Sequence, residues 1–155
     1  KIPHYDLLSY NGYWVNKFDM QPVSGIVVDD IVDDYNGIII NGLQQGKWNY
    51  YWSNGDFKAK LTYKNGGGQE IAPESKIPKT GRHGEAIFYH QNGSVWSKQE
   101  WTNGRADGMY RIWHINGQLA GEAFFENGIK QGKELKISFD GNEIEENFYI
   151  NDKKQ

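Results

Sequence analysis

The chain has 155 residues, a formal net charge of −3 and no cysteine, yet 15% of its residues are aromatic and 19 are glycine. The acidic balance excludes the basic stripe that a nucleic-acid-binding surface needs, and the lack of cysteine excludes disulfide scaffolds and thiolate zinc sites. The longest purely aliphatic run, Ile38-Ile39-Ile40, is too short to cross a bilayer. Abundant aromatic residues in a chain of mean hydropathy −0.79 are typical of short strands joined by tight turns.

The first 40 residues are predicted to form a degenerate repeat or cap. Within them the segment 27–37 keeps strand character but contains two acidic pairs, made by Asp29, Asp30, Asp33 and Asp34. Four clustered carboxylates can suggest calcium, but the twelve-residue EF-hand pattern is missing. Two interpretations stay open: a solvated strand edge that guards against aggregation, or an electrostatic mimic that docks on a basic partner.

Residues 41–155 are predicted to form a repeat array with a unit of about 24 residues. The first Asn-Gly-like pair of each unit is Asn54-Gly55, Asn92-Gly93, Asn116-Gly117 or Asp140-Gly141. The second pair is Asn65-Gly66, Asn103-Gly104, Asn127-Gly128 or Asn151-Asp152. A lone glycine follows four residues after pairs of the second kind, at Gly46, Gly108 and Gly132, and Gly84 occupies the same place. The regular spacing indicates one hairpin per unit.

The two kinds of pair predict two kinds of turn. The first kind is expected to close a tight hairpin, because a type I′ turn needs positive φ at both central residues and Asn-Gly supplies it. The second kind is expected to form a wider turn whose last glycine is left-handed or bulged. No segment keeps a 3.6-residue period over eleven residues. The prediction is an all-β fold: a single-layer, twisted antiparallel meander of about ten strands.

Aromatic residues recur at one position in the second strand of each unit: Tyr63, Trp101, Phe125 and Tyr149. Their recurrence predicts a ladder of packed rings on one face, with the alternate residues in solvent. Trp96 lies outside this column and is assigned to the solvated face, with Lys98 and Glu100. The period is interrupted by a Gly-, Pro- and charge-rich insertion at 67–80, which is interpreted either as part of a binding face or as a flexible surface loop.

The sequence shows no constellation of residues typical of an enzyme. His90 and His114 occupy the same position in successive units, and Trp52 precedes them there. Strands two apart lie about 10 Å apart, too far for both imidazoles to hold one zinc ion at about 2 Å without a bridging ligand. The run 66–68 lacks the lysine and the following helix of a phosphate-binding loop. The chain is therefore predicted to be non-enzymatic, with no metal or cofactor site.

The segments GKWNYYWSNG (46–55), GEAIFYHQNG (84–93) and GMYRIWHING (108–117) resemble the bacterial variant of the MORN repeat, and GKELKISFDG (132–141) is a weaker copy. The resemblance covers about residues 41–152. Many proteins with this repeat are YwqK-type antitoxins. The resemblance therefore implies an antitoxin or immunity protein that binds and neutralises a cognate bacterial toxin. A scaffold or membrane-surface MORN protein and a carbohydrate-binding module are the alternatives.

The predicted partner is a protein, with no nucleic acid and no transmembrane segment, and the oligomeric state is not predicted. Its contact surface is expected to combine irregular features with exposed aromatic and imidazole side chains. The residues assigned to it are Asp29, Asp30, Asp33, Asp34, Trp52, His90, Trp96 and His114. The lack of an initiator methionine favours an exported or periplasmic protein, with a cytoplasmic one as the alternative.

Overall fold

A computed structural model describes residues 1–28 and 35–155. The strands within these ranges are β1 (Ile2–Pro3), β2 (Leu7–Tyr10), β3 (Tyr13–Asn16), β4 (Gly25–Val28), β5 (Tyr35–Ile40), β6 (Leu43–Tyr51), β7 (Phe57–Gly66), β8 (Gly84–Tyr89), β9 (Val95–Thr102), β10 (Arg105–Trp113), β11 (Leu119–Glu126), β12 (Ile129–Ile137), β13 (Ile144–Ile150) and β14 (Lys153–Lys154). One short 3-10 helix, His4–Asp6, precedes β2. In the described part of the chain, no helix is long and apolar enough to span a membrane.

Twelve of these strands form one sheet, in the order β1-β4-β5-β6-β7-β8-β9-β10-β11-β12-β13-β14. Strands β4 to β14 follow one another as an antiparallel meander, and β1 adds to its edge in parallel with β4. Strands β2 and β3 form a separate hairpin. The predicted all-β meander of hairpin repeats is confirmed, with a few more strands than expected.

The two kinds of turn are real, but their assignment was the reverse of what the structure shows. The tight type I′ turns lie at the second pairs, except at Asn65-Gly66, which ends β7 and leads into the insertion. At Asn103 and Gly104, φ is 48° and 80°, so both residues are left-handed, and these two residues alone join β9 to β10. The pairs Asn41-Gly42, Asn127-Gly128 and Asn151-Asp152 have the same positive φ at both residues.

The first pairs close three-residue loops instead. At Asn116-Gly117 only the glycine is left-handed, with φ 85°. The Gly117 N–H donates to the His114 carbonyl at 2.9 Å, and the His114 N–H donates to the Gln118 carbonyl at 2.8 Å. This is a type I turn followed by a bulged glycine. The Asn116 side chain caps the turn by accepting the Gln118 N–H at 3.0 Å. A carboxylate can do the same, which explains Asp140 at the equivalent place.

The glycines four residues beyond the second pairs are left-handed or bulged, as predicted. Gly108, with φ 122°, lies where the register between β9 and β10 shifts between Ala106 and Tyr110. Strand β10 therefore pairs with β9 over two residues, is interrupted by a bulge, and pairs with β9 again from Tyr110 onward. The bulge bends the strand and increases the local twist of the sheet.

The hydrophobic core lies on one face of the N-terminal half of the sheet. Its buried side chains come mainly from β4 to β8 and include Trp48, Tyr50, Leu61 and Tyr63. The β2–β3 hairpin covers them through Leu7 and Trp14. Among the described residues, none beyond β9 belongs to this core cluster, and there the meander is one layer thick. The predicted division into a cap of residues 1–40 and an array of residues 41–155 stays a prediction.

The insertion 67–80 also packs over this face, so the flexible-loop interpretation is wrong. Ile77 is only 2% exposed and belongs to the core. The insertion is also attached to the N-terminal hairpin, because Ser9 Oγ donates to the Gly67 carbonyl at 2.7 Å. A Cβ atom at Gly67 would lie 2.2 Å from the Gly12 carbonyl oxygen, so the two backbones meet there. The insertion and the hairpin together form the second layer.

Candidate functional site

A cleft of about 470 Å³ opens on the core-bearing face of the sheet, where the second layer gives way to the open meander. One side of the cleft is formed by the end of the insertion and the residues just after it, from Ala72 to Arg82. The other side is formed by side chains of β8 to β11. Its volume is in the range of sites that hold small ligands or a protruding side chain with its neighbours.

Five aromatic rings line the cleft: Phe88, Trp96, Trp101, Tyr110 and Phe125. Two pairs among them meet edge to face, Phe88 with Trp96 at 6.2 Å between ring centres and Tyr110 with Phe125 at 6.3 Å. Edge-to-face pairs hold their rings in defined orientations. The rings therefore form a firm apolar wall that remains partly open to solvent.

Trp96 faces the cleft because of a β-bulge. Ser97 pairs with Phe88 and Val95 pairs with Tyr89, so Trp96 is an extra residue without a partner of its own. A bulge of this kind brings the extra side chain to the same side as its neighbour. The predicted exposure of Trp96 is confirmed, at 38%. Its predicted face was wrong, since simple alternation placed it with Lys98 and Glu100.

Arg82 lies at the base of the cleft and is 3% exposed. Its Nε donates to the Pro78 carbonyl at 2.9 Å and its Nη2 donates to the Ile77 carbonyl at 3.1 Å. The guanidinium carbon is 4.8 Å from the centre of the Trp101 ring, a cation–π distance. Burial lowers the pKa of Arg82 from its ordinary value, although the neighbouring Tyr63 opposes this. An arginine nevertheless remains charged in a protein.

Two polar side chains of β9 complete the base of the cleft. Ser97 and Gln99 both line it and both are buried. Gln99 Nε2 donates to the Glu100 carbonyl at 2.8 Å, whereas the Ser97 hydroxyl makes no hydrogen bond within the described ranges. Glu74 stands at the rim, and the pKa of Tyr110 is raised by burial and, to a lesser degree, by this negative charge.

The two predicted histidines connect successive units. His90 Nε2 lies 2.9 Å from the Trp113 carbonyl oxygen, and His114 Nε2 lies 2.8 Å from the Ile137 carbonyl oxygen. In each case the imidazole meets the strand that ends one unit later. This contact gives both residues a structural task, and their part in partner binding stays a prediction.

The other residues predicted to bind a partner differ in their position relative to the cleft. Trp52 lies outside the cleft lining, with Lys58 Nζ 5.2 Å from its ring centre. Its buried indole nitrogen has no hydrogen-bond partner among the described residues. Of the predicted residues that the structure describes, only Trp96 lines the cleft. Asp29, Asp30, Asp33 and Asp34 lie outside the described residues. No group of three or more metal-ligating side chains comes together in the ranges 1–28 and 35–155.

The sequence-based assignment missed Arg82, Ser97 and Gln99. For the last two a signal existed, because the equivalent positions carry apolar or small residues in two of the other three units, Ala59 and Leu61 in one and Gly121 and Ala123 in the other. Polar residues on a packed face are unusual unless they have partners. Arg82 carried no such signal, since its place depends on how the insertion folds back.

Comparison with known proteins agrees with the repeat geometry. Residues 44–65 and 82–103 match the family described as the MORN repeat variant. Each matched segment spans one hairpin with a three-residue loop, β6–β7 and β8–β9 respectively. Two units of the chain therefore match the MORN repeat variant, and β10 to β13 continue the same hairpin geometry. A comparison with curated proteins gives no match for this chain.

Proposed function

We propose that this MORN-variant repeat protein is a non-enzymatic protein-binding module that holds its partner in the aromatic cleft. The observation that carries the proposal is the gathering of five rings and a buried arginine around one open cavity. Tryptophan, tyrosine and arginine are the residues most enriched among those that dominate binding energy at protein interfaces. The firm wall of paired rings lowers the entropic cost of binding, because the side chains are already ordered.

The finer form of the proposal is an antitoxin or immunity protein that occludes a cognate toxin. The resemblance of the units to repeats found in antitoxins supports it, together with a cleft large enough for a side chain that protrudes from a partner. Inhibition by such a protein is stoichiometric and involves no turnover. Loss of toxicity on co-expression with a toxin encoded beside this gene tests this form. Unchanged toxicity at equal expression would remove it and leave the binding module.

The binding surface is tested by photo-crosslinking from two positions on neighbouring strands. Tyr110 lines the cleft, whereas Phe124 lies on the opposite face of the sheet. A benzophenone side chain at position 110 should crosslink a partner that the same group at position 124 does not. With the purified partner, Tyr110→Ala should weaken binding about tenfold or more, and Phe124→Ala should change it less than about threefold.

Equal effects of the two variants would move the interface away from the cleft. Binding of cello- or chito-oligosaccharides at the same rings, with no protein partner, would replace the proposal by the carbohydrate-binding alternative. Flotation of the chain with vesicles that contain 30% anionic lipid would instead favour the membrane-surface alternative.

A further inference from the structure

The base of the cleft holds a buried cation, Arg82, that pairs with no anionic side chain among the described residues. Arg82 makes no ion pair with any described carboxylate, and its hydrogen bonds to the Pro78 and Ile77 carbonyls use only two of its five N–H groups. A charge taken out of water is costly unless it is paired. The cleft wall bears part of this cost through the π face of Trp101. An anion that enters the cleft would reduce the remaining free-energy cost of burying the charge of Arg82.

The charges of the residues that line the cleft also favour an anion. Lys79, Arg82 and Arg105 are the cationic residues of the lining, and Glu74 is its one described acid. The whole chain, by contrast, carries a net charge of −3. The cleft is thus a locally positive region on an acidic protein, and complementary potentials steer anionic groups towards such regions.

An independent observation comes from the hydroxyl of Ser97. Its side chain is 6% exposed, lines the cleft and makes no hydrogen bond with a described residue. Its hydroxyl oxygen is open to the cleft, where water or a bound group can act as its hydrogen-bond partner. A group placed in the cleft beside Ser97 would supply that partner. An acceptor suits both Arg82, which can only donate, and the hydroxyl, which can donate as well.

We infer that the cleft binds a carboxylate flanked by apolar groups, presented by an extended segment of a protein partner. The carboxylate accepts hydrogen bonds from Arg82 and Ser97, and the flanking apolar side chains pack on Trp96 and Tyr110. A planar carboxylate matches the fork of a guanidinium, and such charge-assisted bonds are about twice as strong as neutral ones. The inference rests on the proposed function only for the source of the segment.

The test uses pairs of small probes that differ only in charge. N-acetylphenylalanine and N-acetylphenylalaninamide are titrated while the indole N–H signals of Trp96 and Trp101 are followed by NMR. The acid should shift both signals and bind about tenfold or more tightly than the amide, as expected for a charge-assisted hydrogen bond. The tripeptides acetyl-Phe-Glu-Phe-amide and acetyl-Phe-Gln-Phe-amide repeat the comparison for a side-chain carboxylate. The pair with the larger ratio shows whether a chain terminus or an acidic side chain is preferred.

Variants separate recognition of the charge from general packing. Ser97→Ala should weaken the acid several-fold and leave the amide unchanged. Arg105→Gln should slow binding of the acid at low salt, and Arg111→Gln is the matched control, because Arg111 lies on the opposite face in an ion pair with Glu122. These residues are used because Arg82 variants lose the two carbonyl contacts and can unfold the insertion. Arg82→Lys is added only if it melts as a single cooperative unit.

Equal affinity of acids and amides would overturn the inference, and so would equal losses for both probes in Ser97→Ala. Tighter binding of inorganic phosphate than of N-acetylphenylalanine would also overturn it. The proposed protein-binding function and the carboxylate inference can be overturned by different results. A protein partner that depends on Tyr110 but keeps its affinity after all its acidic contact residues are neutralised would overturn the carboxylate and retain the binding module. Discrimination between the probes with no protein partner would retain the carboxylate site and remove the module.

Discussion

Tyr63 and Tyr149 occupy the same position in the first and the last unit of the array, but their surroundings differ. Tyr63 is 2% exposed, and its hydroxyl donates to the Pro78 carbonyl of the insertion at 2.8 Å. Burial raises its pKa. Tyr149 is half-buried on the open face, with Lys130 Nζ 4.4 Å from its ring centre. Equivalent positions in a repeat therefore share backbone geometry, whereas burial depends on what covers them.

The cleft lies at the boundary between these two regions. The covered half supplies a rigid base through the insertion, and the open half supplies rings that are still accessible. Neither half alone would form the site, because a fully covered ring cannot touch a partner and an uncovered sheet has no cavity. The predictions below compare the covered and the open half directly.

The largest expected difference concerns the residue two positions after the bulge glycine. Trp48 is fully buried in the covered half, and Tyr110 is half-buried in the open half. Trp48→Ala should lower the free energy of unfolding by about 3–5 kcal/mol, because it leaves a large cavity. Tyr110→Ala should cost about 1–2 kcal/mol, since less of its surface is buried. Urea denaturation of both variants measures this, and equal losses would mean that the second layer does not set the burial.

The second comparison lies within the insertion. Ile77→Ala should cost about 2–4 kcal/mol, because the side chain belongs to the core. Ile71→Ala is the control, since this isoleucine is 50% exposed and should change stability by less than about 0.5 kcal/mol. Thermal unfolding at matched protein concentration measures both. If both variants melt with the wild type, the insertion does not pack on the sheet.

The third comparison separates the two turns. Asn103→Ala should cost about 1 kcal/mol, because alanine resists the left-handed φ of 48° that the type I′ turn requires. Asn116→Asp should be neutral within about 0.5 kcal/mol, since the side chain acts there as an acceptor and Asp140 already does so in the next unit. A larger loss at position 116 than at position 103 would restore the original assignment of the turns.

The smallest expected effect is a pH dependence of folding stability that arises from Glu134 in the open half. Burial alone would raise the pKa of Glu134, but the hydrogen bond and charge of Lys130, helped by Asn147, lower it below its ordinary value. A depressed carboxyl pKa stabilises the fold above the unfolded value of about 4.3 and loses that contribution as the pH falls through the folded value. Stability measured between pH 7 and pH 3 should therefore fall less steeply in Glu134→Gln than in the wild type. Identical profiles would show that the carboxylate is not held in its charged form.

The sequence was sufficient for the repeat and for the hairpins of the array, but it did not predict the β2–β3 hairpin at Asn11-Gly12. A strict period, turn residues and strand-forming segments all depend on local chemistry, which a reader of the sequence can see. The turn types were not predictable in the same way. Asn-Gly serves both loops, and only the pairing of the flanking strands decides whether Asn103 adopts positive φ and Asn116 does not.

The cleft needed the structure for two reasons. Alternation fails at a bulge, so Trp96 moved to the opposite face from the one it was assigned. The insertion folds back over the sheet and brings Arg82 beside Trp101, a contact that no local pattern encodes. The predicted surface residues other than Trp96 lie elsewhere or outside the described ranges.

The histidine contacts bear on how such an array can grow. His90 and His114 each contact a carbonyl oxygen 23 residues further along the chain, so two successive junctions between units have the same geometry. A tandem duplication of residues 108–131, inserted after Gln131, would give His114 a new carbonyl at the copied Trp113 and give the copied histidine the one at Ile137. The sheet would lengthen by two strand spacings, about 10 Å, while the residues of the original cleft keep their neighbours. Gene duplication could thus change the length of this protein without touching the site that recognises its partner.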